Sequence, residues 1–363
     1  MKKILGVIAL LLLASVQMAR AQDVTAVRFL NIQPDARASG MGNTGVALAN
    51  NSSAVYWNPA GLGNQQGNQI SITHSQWLPN LGANLFYDYL TARHHVDGIG
   101  TFGGHVTYLN MGHQTHTDGQ GNNLGQFSSY DLAIGISYGI ALSDNWSIGT
   151  GIRFIHSHLY NGSFNNGQGS VKPVSSFGVD LAALYKTDPF QTFGSDKGTF
   201  RAGIDLSNIG PKLNFNKKDS LKDALPTELR FGWAFKTGLG NGDNSITLTN
   251  DYSKIMARPG SSVFGSLINS WGPYTRETSQ GKVTLSTLQQ FRIGTGLEYW
   301  YKHLFSVRTG YYYENPNNGN RKFITLGAGI RYNFIGVDIS HIFSLKQNHP
   351  MANTTRFGLL LNF

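Results

Sequence analysis

Residues 130–142 read Tyr-Asp-Leu-Ala-Ile-Gly-Ile-Ser-Tyr-Gly-Ile-Ala-Leu. Every second side chain is apolar: Tyr130, Leu132, Ile134, Ile136, Tyr138, Ile140 and Leu142. Those between them are small or polar. A period of two puts the two sets on opposite faces of a strand. Ser143-Asp144-Asn145 makes a tight turn, and Trp146, Ile148, Thr150, Ile152 and Phe154 resume the pattern. Fourteen segments of this kind lie near 69–77, 83–94, 98–111, 128–142, 146–158, 175–185, 199–208, 227–236, 245–253, 289–301, 304–313, 323–333, 335–344 and 355–363. A tilted strand crosses a bilayer in about 9–11 residues, and many of these are long enough.

The connections alternate in length. Strands two–three, four–five, ten–eleven and twelve–thirteen are joined by turns of a few residues. The other rim carries mostly long connections at 112–127, 159–174, 209–226, 254–288, 314–322 and 345–354, with only 78–82 short. Short turns on one rim and long loops on the other are the pattern of an outer-membrane barrel, with both termini on the short-turn, periplasmic rim.

Composition agrees. The 363 residues hold 44 Gly, no Cys and only 13% charged residues. Without cysteine there is no disulfide scaffold and no cysteine-based zinc or redox site. Lys2 and Lys3 precede an apolar run from Ile4 to Ala14, and Ala19-Arg20-Ala21 offers a small-x-small cleavage site. Residues 1–21 are therefore expected to be a secretory signal peptide. The run is too short to span a bilayer, and no later stretch is a membrane helix. An exported membrane protein of this kind must be a β-barrel.

The two faces separate a barrel from a soluble sandwich. The apolar face places aromatics near strand ends (Trp146, Tyr185, Tyr299, Tyr301, Tyr313, Tyr332), as an interfacial girdle does. The opposite face carries Asp131, Asp180, Asp205, Asp251, Glu298 and Asp338 with Arg153, Arg201, Arg230, Arg292, Arg308, Arg331 and Arg356. A sandwich would bury that face in an apolar core; a barrel turns it to the lumen, where opposite charges pair or meet water. The fold expected for 69–363 is an all-β, 14-stranded antiparallel transmembrane barrel. Phe363 ends the last alternating strand and has the character of a barrel-assembly signal.

Residues 22–68 do not alternate. They hold Asp35-Ala36-Arg37-Ala38-Ser39-Gly40-Met41-Gly42 and Trp57-Asn58-Pro59-Ala60-Gly61-Leu62. Small residues suit tight irregular packing, so this segment is expected to fold into the lumen as a plug, with Asp35, Arg37, Gly40, Gly42, Asn58, Pro59, Ala60 and Gly61 as its motif. The Gly-x-Gly lacks the strand–helix context of a dinucleotide site and the Lys-Ser/Thr of a P-loop.

These two stretches resemble the hatch of the FadL-like outer-membrane barrels. Together with Asn31–Arg37, Ser75-Gln76-Trp77-Leu78-Pro79 and the 138–157 hairpin, the chain is similar over its mature length to the PorV family of the type IX secretion system. The resemblance implies fourteen strands and a plug. It also implies an outer-membrane location and a role carrying secreted cargo. Such proteins bind the cargo's C-terminal domain, dock beside the translocon barrel and deliver cargo to the surface attachment complex. They have no cofactor and no catalytic residues to carry over, so an enzyme is not expected. The alternative is a FadL-type transporter of hydrophobic small molecules, which needs an apolar lumen pocket.

Among candidate contacts, the loop Lys254–Leu288 holds Met256, Val263, Phe264, Leu267, Ile268, Trp271 and Tyr274. Aromatic and Met side chains are enriched where proteins meet. The loop either contacts translocon or cargo, or folds over the barrel mouth as a lid. The polar loop 112–127 reads as mobile. His113-x-x-His116 with Asp118 lacks a third strong metal ligand nearby and reads as solvated. Ser157 faces away from His156 and His158 on one strand, which argues against a hydrolase. No Lys/Arg cluster interleaves with aromatics, so nucleic acid is not an expected partner. Outer-membrane lipid and lipopolysaccharide are the expected surroundings of the wall and loops.

Overall fold

The computed structural model describes residues 25–81, 84–164, 169–193, 196–215, 222–240, 242–278, 281–346 and 349–363. The expected signal peptide, with its cleavage site, lies outside them. Fourteen antiparallel strands close one sheet among the described residues, and a two-residue strand at Phe190–Gln191 adds to it at the edge of Lys197–Ile209. They are β1 Asn68–Gln76, β2 Phe86–Val96, β3 Gly100–Thr117, β4 Asn123–Ala141, β5 Trp146–His158, β6 Val174–Lys186 and β7 Lys197–Ile209. Then come β8 Glu228–Leu239, β9 Asn244–Ile255, β10 Arg292–Tyr301, β11 Phe305–Glu314, β12 Lys322–Tyr332, β13 Ile335–Ser344 and β14 Thr355–Asn362. Each strand pairs with its successor, and β14 pairs with β1 through Gln69↔Asn362 to Ser75↔Arg356. Closure leaves no open edge in hydrocarbon, where an unpaired backbone group has no water to bind. No described helix is long and apolar enough to cross a membrane.

The alternation sorts the two faces as the sequence requires. On β4, Ile134 and Ile136 are exposed, the latter 68%, while Ala133, Ser137 and Asp131 are buried. Trp146, Tyr301 and Tyr332 stand exposed on the outer face, and the Trp146 ring lies tilted against Tyr185, centroids 5.0 Å apart.

The boundaries match the sequence reading closely, with one departure. β3 and β4 run 18 and 19 residues, far beyond the bilayer requirement, and absorb most of 112–127. That stretch is not a mobile loop but a paired hairpin. Its side chains, Leu124 and Phe127 apart, are polar or glycine on both faces because both faces meet water, so the apolar alternation stops while the backbone ladder continues. Register shifts after Asn110 and after His116 mark irregularities along it. His116 meets Tyr160, which packs on Phe127 at 4.8 Å.

Residues 25–67 pack inside the cylinder. They form two short helices, α1 Ala36–Ser39 and α2 Ala54–Trp57, and a 3-10 turn at Pro59–Asn64. Their apolar side chains, including Val46, Val55, Trp57 and Leu62, make the main buried core with Tyr87, Tyr89 and Ile155 of the wall. Many of the inward glycines are explained by this packing. A Cβ on Gly310 would lie 2.1 Å from the Gly42 nitrogen, and one on Gly149 would lie 2.3 Å from the Ala60 nitrogen. Only a wall without side chains at these points admits the backbone of the inner segment.

Gly310→Val should therefore displace the inner segment and cost about 1–3 kcal/mol or more. The readout is the temperature at which the folded, heat-modifiable band converts on an electrophoretic gel; it should fall by several degrees. Gly119→Val, where an added Cβ meets nothing within 4 Å, should leave that temperature unchanged.

Candidate functional site

The inner segment is held by side chains from both partners. Asp35 caps α1, accepting from the Ala38 amide at 2.8 Å, and accepts a second bond from the Trp57 indole Nε1. Burial raises the Asp35 carboxyl above its ordinary pKa, and these donors oppose the rise. Asn58 works in both directions: its Oδ1 accepts from Ala60 at 3.0 Å, and its Nδ2 donates to the carbonyls of Val46 at 3.1 Å and Ala183 at 3.2 Å. The last of these ties the segment to β6. Pro59 follows as the first residue of the 3-10 turn, where no amide donor is needed. Gly42 takes φ +68° beside the backbone of Thr295 and Tyr311, a conformation and approach that only glycine tolerates. Ala60 is buried, and a Cβ on Gly40 or Gly61 would press on Gly327 or Ala49.

The wall answers with charge. Glu298 of β10 takes a two-pronged bond from Arg37, Nε at 2.9 Å and Nη2 at 2.8 Å, and a further bond from Arg308 at 2.7 Å. Arg308 reaches on to Asp338 at 2.8 Å, which also binds Arg331 at 2.6 Å. Asp251 of β9 accepts from the amides of Gly45 at 2.7 Å and Val46 at 2.9 Å. Arg230 pairs with Asp205 at 2.7 Å and donates to the Tyr56 carbonyl at 2.6 Å. Arg153 pairs with Asp180. Such buried charges are tolerable because each has an opposite partner at bonding distance or, for Asp251, two amide donors.

Two pairs went unread in the sequence. Arg292 binds Glu228 at 2.5 Å, and Glu228 also accepts from Asn31 at 2.7 Å; Arg321 pairs with Glu314. Glu228 and Glu314 keep the parity of Arg230 and Arg308, so extending the alternation to the strand ends would have found them. Pairing fails for Arg201 and Arg356. Arg356 is buried with no hydrogen-bond partner among the described residues, its guanidinium 6.0 Å from the Trp77 ring.

The long-loop mouth opens on a cavity of about 600 Å³. Arg28, Arg258, Arg276, Arg292 and Arg321 line it against Asp131 and Glu314. Burial, together with Arg321 and Arg292, pushes the Arg28 guanidinium pKa down, yet arginine stays charged. The long loop supplies part of the rim. Arg258 stacks on Tyr274 at 4.6 Å and donates to Ser270, Gly272 and Gln290. Lys254 donates to Ser270 at 2.5 Å, so two cations pin the loop base at one carbonyl.

The seven loop residues singled out by sequence divide. Met256 is buried at the loop base and cannot be a surface contact. Val263, Leu267 and Tyr274 are half-buried. Phe264 and Ile268, 76% and 75% exposed, lie one turn apart on the helix α3 Val263–Asn269, capped by Ser262; Trp271 is exposed just beyond. Leu288, 82% exposed, adds to the loop's exposed apolar surface. Ser157 is buried on the inner face while His156 binds Ser175 and His158 stacks on Tyr130. Among the described residues no group of three metal-ligating side chains occurs.

Glycine-lined walls around an inner segment, a closed 14-stranded sheet and a lipid-facing apolar belt define an outer-membrane β-barrel. Solved structures agree on the fold. The chain superposes on the Pseudomonas putida toluene transporter TodX with a TM-score of 0.52, 13% identity, 90% of this chain and 98% of that chain. It superposes on a TodX deletion mutant, described as a monoaromatic hydrocarbon channel, with a TM-score of 0.51, 12% identity, 90% and 98%. No curated protein sequence matches. The model of the family described as "Type IX secretion system protein PorV" matches residues 15–261, and the chain belongs to that family. It is an outer-membrane component of the secretion apparatus, a transport protein rather than an enzyme.

Glu298→Gln removes the carboxylate that Arg37 and Arg308 share and leaves two buried guanidiniums short of a partner. The expected loss is about 3–5 kcal/mol, read as a lower urea midpoint for unfolding from detergent. Adding Arg37→Met should cost less than the sum of the two single changes, because the sites are coupled.

Proposed function

We propose that the protein is an accessory shuttle of type IX secretion. It binds the C-terminal domain of secreted cargo, docks beside the translocon barrel and hands cargo to the attachment complex at the cell surface. The observation that carries this reading is the apolar helix face of Phe264 and Ile268, with Trp271 beyond it, held out in water on a loop whose base is pinned by Lys254 and Arg258. A helix face with paired anchors one turn apart is a form that proteins recognise. Residues 22–68 would serve as a plug that keeps the lumen from being a conduit, and Phe363 as the assembly signal. Binding then falls to the outer rim.

The FadL-type alternative, uptake of hydrophobic small molecules, asks for a greasy passage. The cavity at the outer mouth is lined by arginines, which weighs against it.

Phe264→Ser with Ile268→Ser should cut co-purification of the translocon or cargo about tenfold or more while the barrel still inserts and stays heat-modifiable. Unchanged co-purification, with deletion of 255–287 equally silent, would remove this loop from the recognition surface.

A further inference from the structure

Inside the barrel, arginines other than Arg356 end on carboxylates: Arg153 on Asp180, Arg230 on Asp205, Arg292 on Glu228, Arg308 on Glu298 and Asp338. At the periplasmic mouth this rule breaks. A second cavity of about 320 Å³ is lined there by Arg37, Arg201, Lys236 and Arg331, with Glu298 the one carboxylate among its lining residues. Arg37 and Arg331 are already spent on Glu298 and Asp338. Arg201 and Lys236 have no ion-pair partner among the described residues.

The register explains why these two meet. Thr199 lies opposite Lys236 and Arg201 opposite Ala234, so Arg201 of β7 and Lys236 of β8 are diagonal inward neighbours. Like charges so placed repel. Water screens the exposed Lys236, but Arg201 is half-buried and shares the cavity with Arg37.

We propose that this cavity binds a phosphate group presented from the periplasmic side. Near neutral pH a phosphate monoester carries about −1.5 to −2 charge and three acceptor oxygens. That charge matches two unpartnered cations, whereas a single carboxylate neutralises only one of them. A planar guanidinium and an ammonium are both suited to phosphate oxygens. The phosphate can come from a soluble ester or from an anionic phospholipid whose headgroup bends over the rim; the recognising chemistry is the same.

The test uses the full chain in uncharged detergent, titrated calorimetrically with glycerol 3-phosphate and with acetate. Saturable binding of glycerol 3-phosphate is expected, with acetate about tenfold weaker or more. Arg201→Gln with Lys236→Gln should weaken phosphate binding by about tenfold or more, and Lys236→Arg should keep it. Lys236→Glu supplies the missing anion from the chain itself. It should raise the thermal midpoint without ligand and abolish the response to phosphate. Should the double variant fail to insert, Lys236→Gln alone, at an exposed position, gives the same reading. In nanodiscs, phosphatidylglycerol that suppresses glycerol 3-phosphate binding relative to pure phosphatidylcholine identifies the headgroup as the source; no suppression identifies a soluble ester. The proposal is overturned by wild-type protein that binds phosphate from neither source, by variants that bind as tightly as wild type, or by acetate binding as tightly as phosphate.

Discussion

A backbone amide in hydrocarbon has no solvent to bond, and this constraint orders everything else in the molecule. It forces the sheet to close, which the β14–β1 ladder accomplishes. It forces each strand to present one face to lipid and the other inward, and that division sets the chemistry of the interior. A lipid-facing belt of Ile, Leu, Val and Phe leaves polar and small residues to line the lumen. Those residues form no oily core by themselves, so the inside is stabilised by paired charge and by a second piece of chain that packs on Tyr87, Tyr89 and Ile155.

The inner segment and the wall solve each other's problem. The segment has backbone donors that no regular ladder satisfies, and the wall has carboxylates that no water reaches. Asp251 accepts the Gly45 and Val46 amides, and Glu298 accepts the Arg37 fork. The desolvation cost of each buried carboxylate is offset only while its donors stay in place. Removing the segment would expose unpaired charges as well as apolar surface, so its packing is coupled to the integrity of the wall. Wall glycines such as Gly310 and Gly149 record the same coupling as shape rather than charge.

Much of this was legible in the chain, for a physical reason. Period-two alternation is a local signal that the membrane enforces at every residue, so β5 and β13 carry the boundaries expected from sequence, and the other strand ends mostly fall within three residues. The signal fails where the membrane stops enforcing it. Above the bilayer β3 and β4 pair through residues such as Gln114 and Thr115, whose polarity gives no hint of a strand. The inward charges were legible as a set, but their pairing was not. Which carboxylate meets Arg37, 261 positions away in sequence, depends on how the inner segment threads the lumen, and no local pattern encodes that. The same limit hid the burial of Met256, which reads as a surface anchor until the loop base folds over it.

The distribution of interactions along the barrel axis bears on how such a protein works. Ion pairs and the buried core are concentrated in the lumen, while the exposed apolar surface of α3 lies outside it on a loop fastened at its base. In the proposed shuttle role, a binding surface mounted this way would change partners without disturbing the wall, since its anchors share no residues with the Glu298 network. A surface that must release what it binds needs that independence: affinity set by a few exposed side chains is tunable through dissociation rate, whereas contacts drawn from the core would tie release to unfolding. In that proposed role, the rigid interior is what would let the rim be exchangeable.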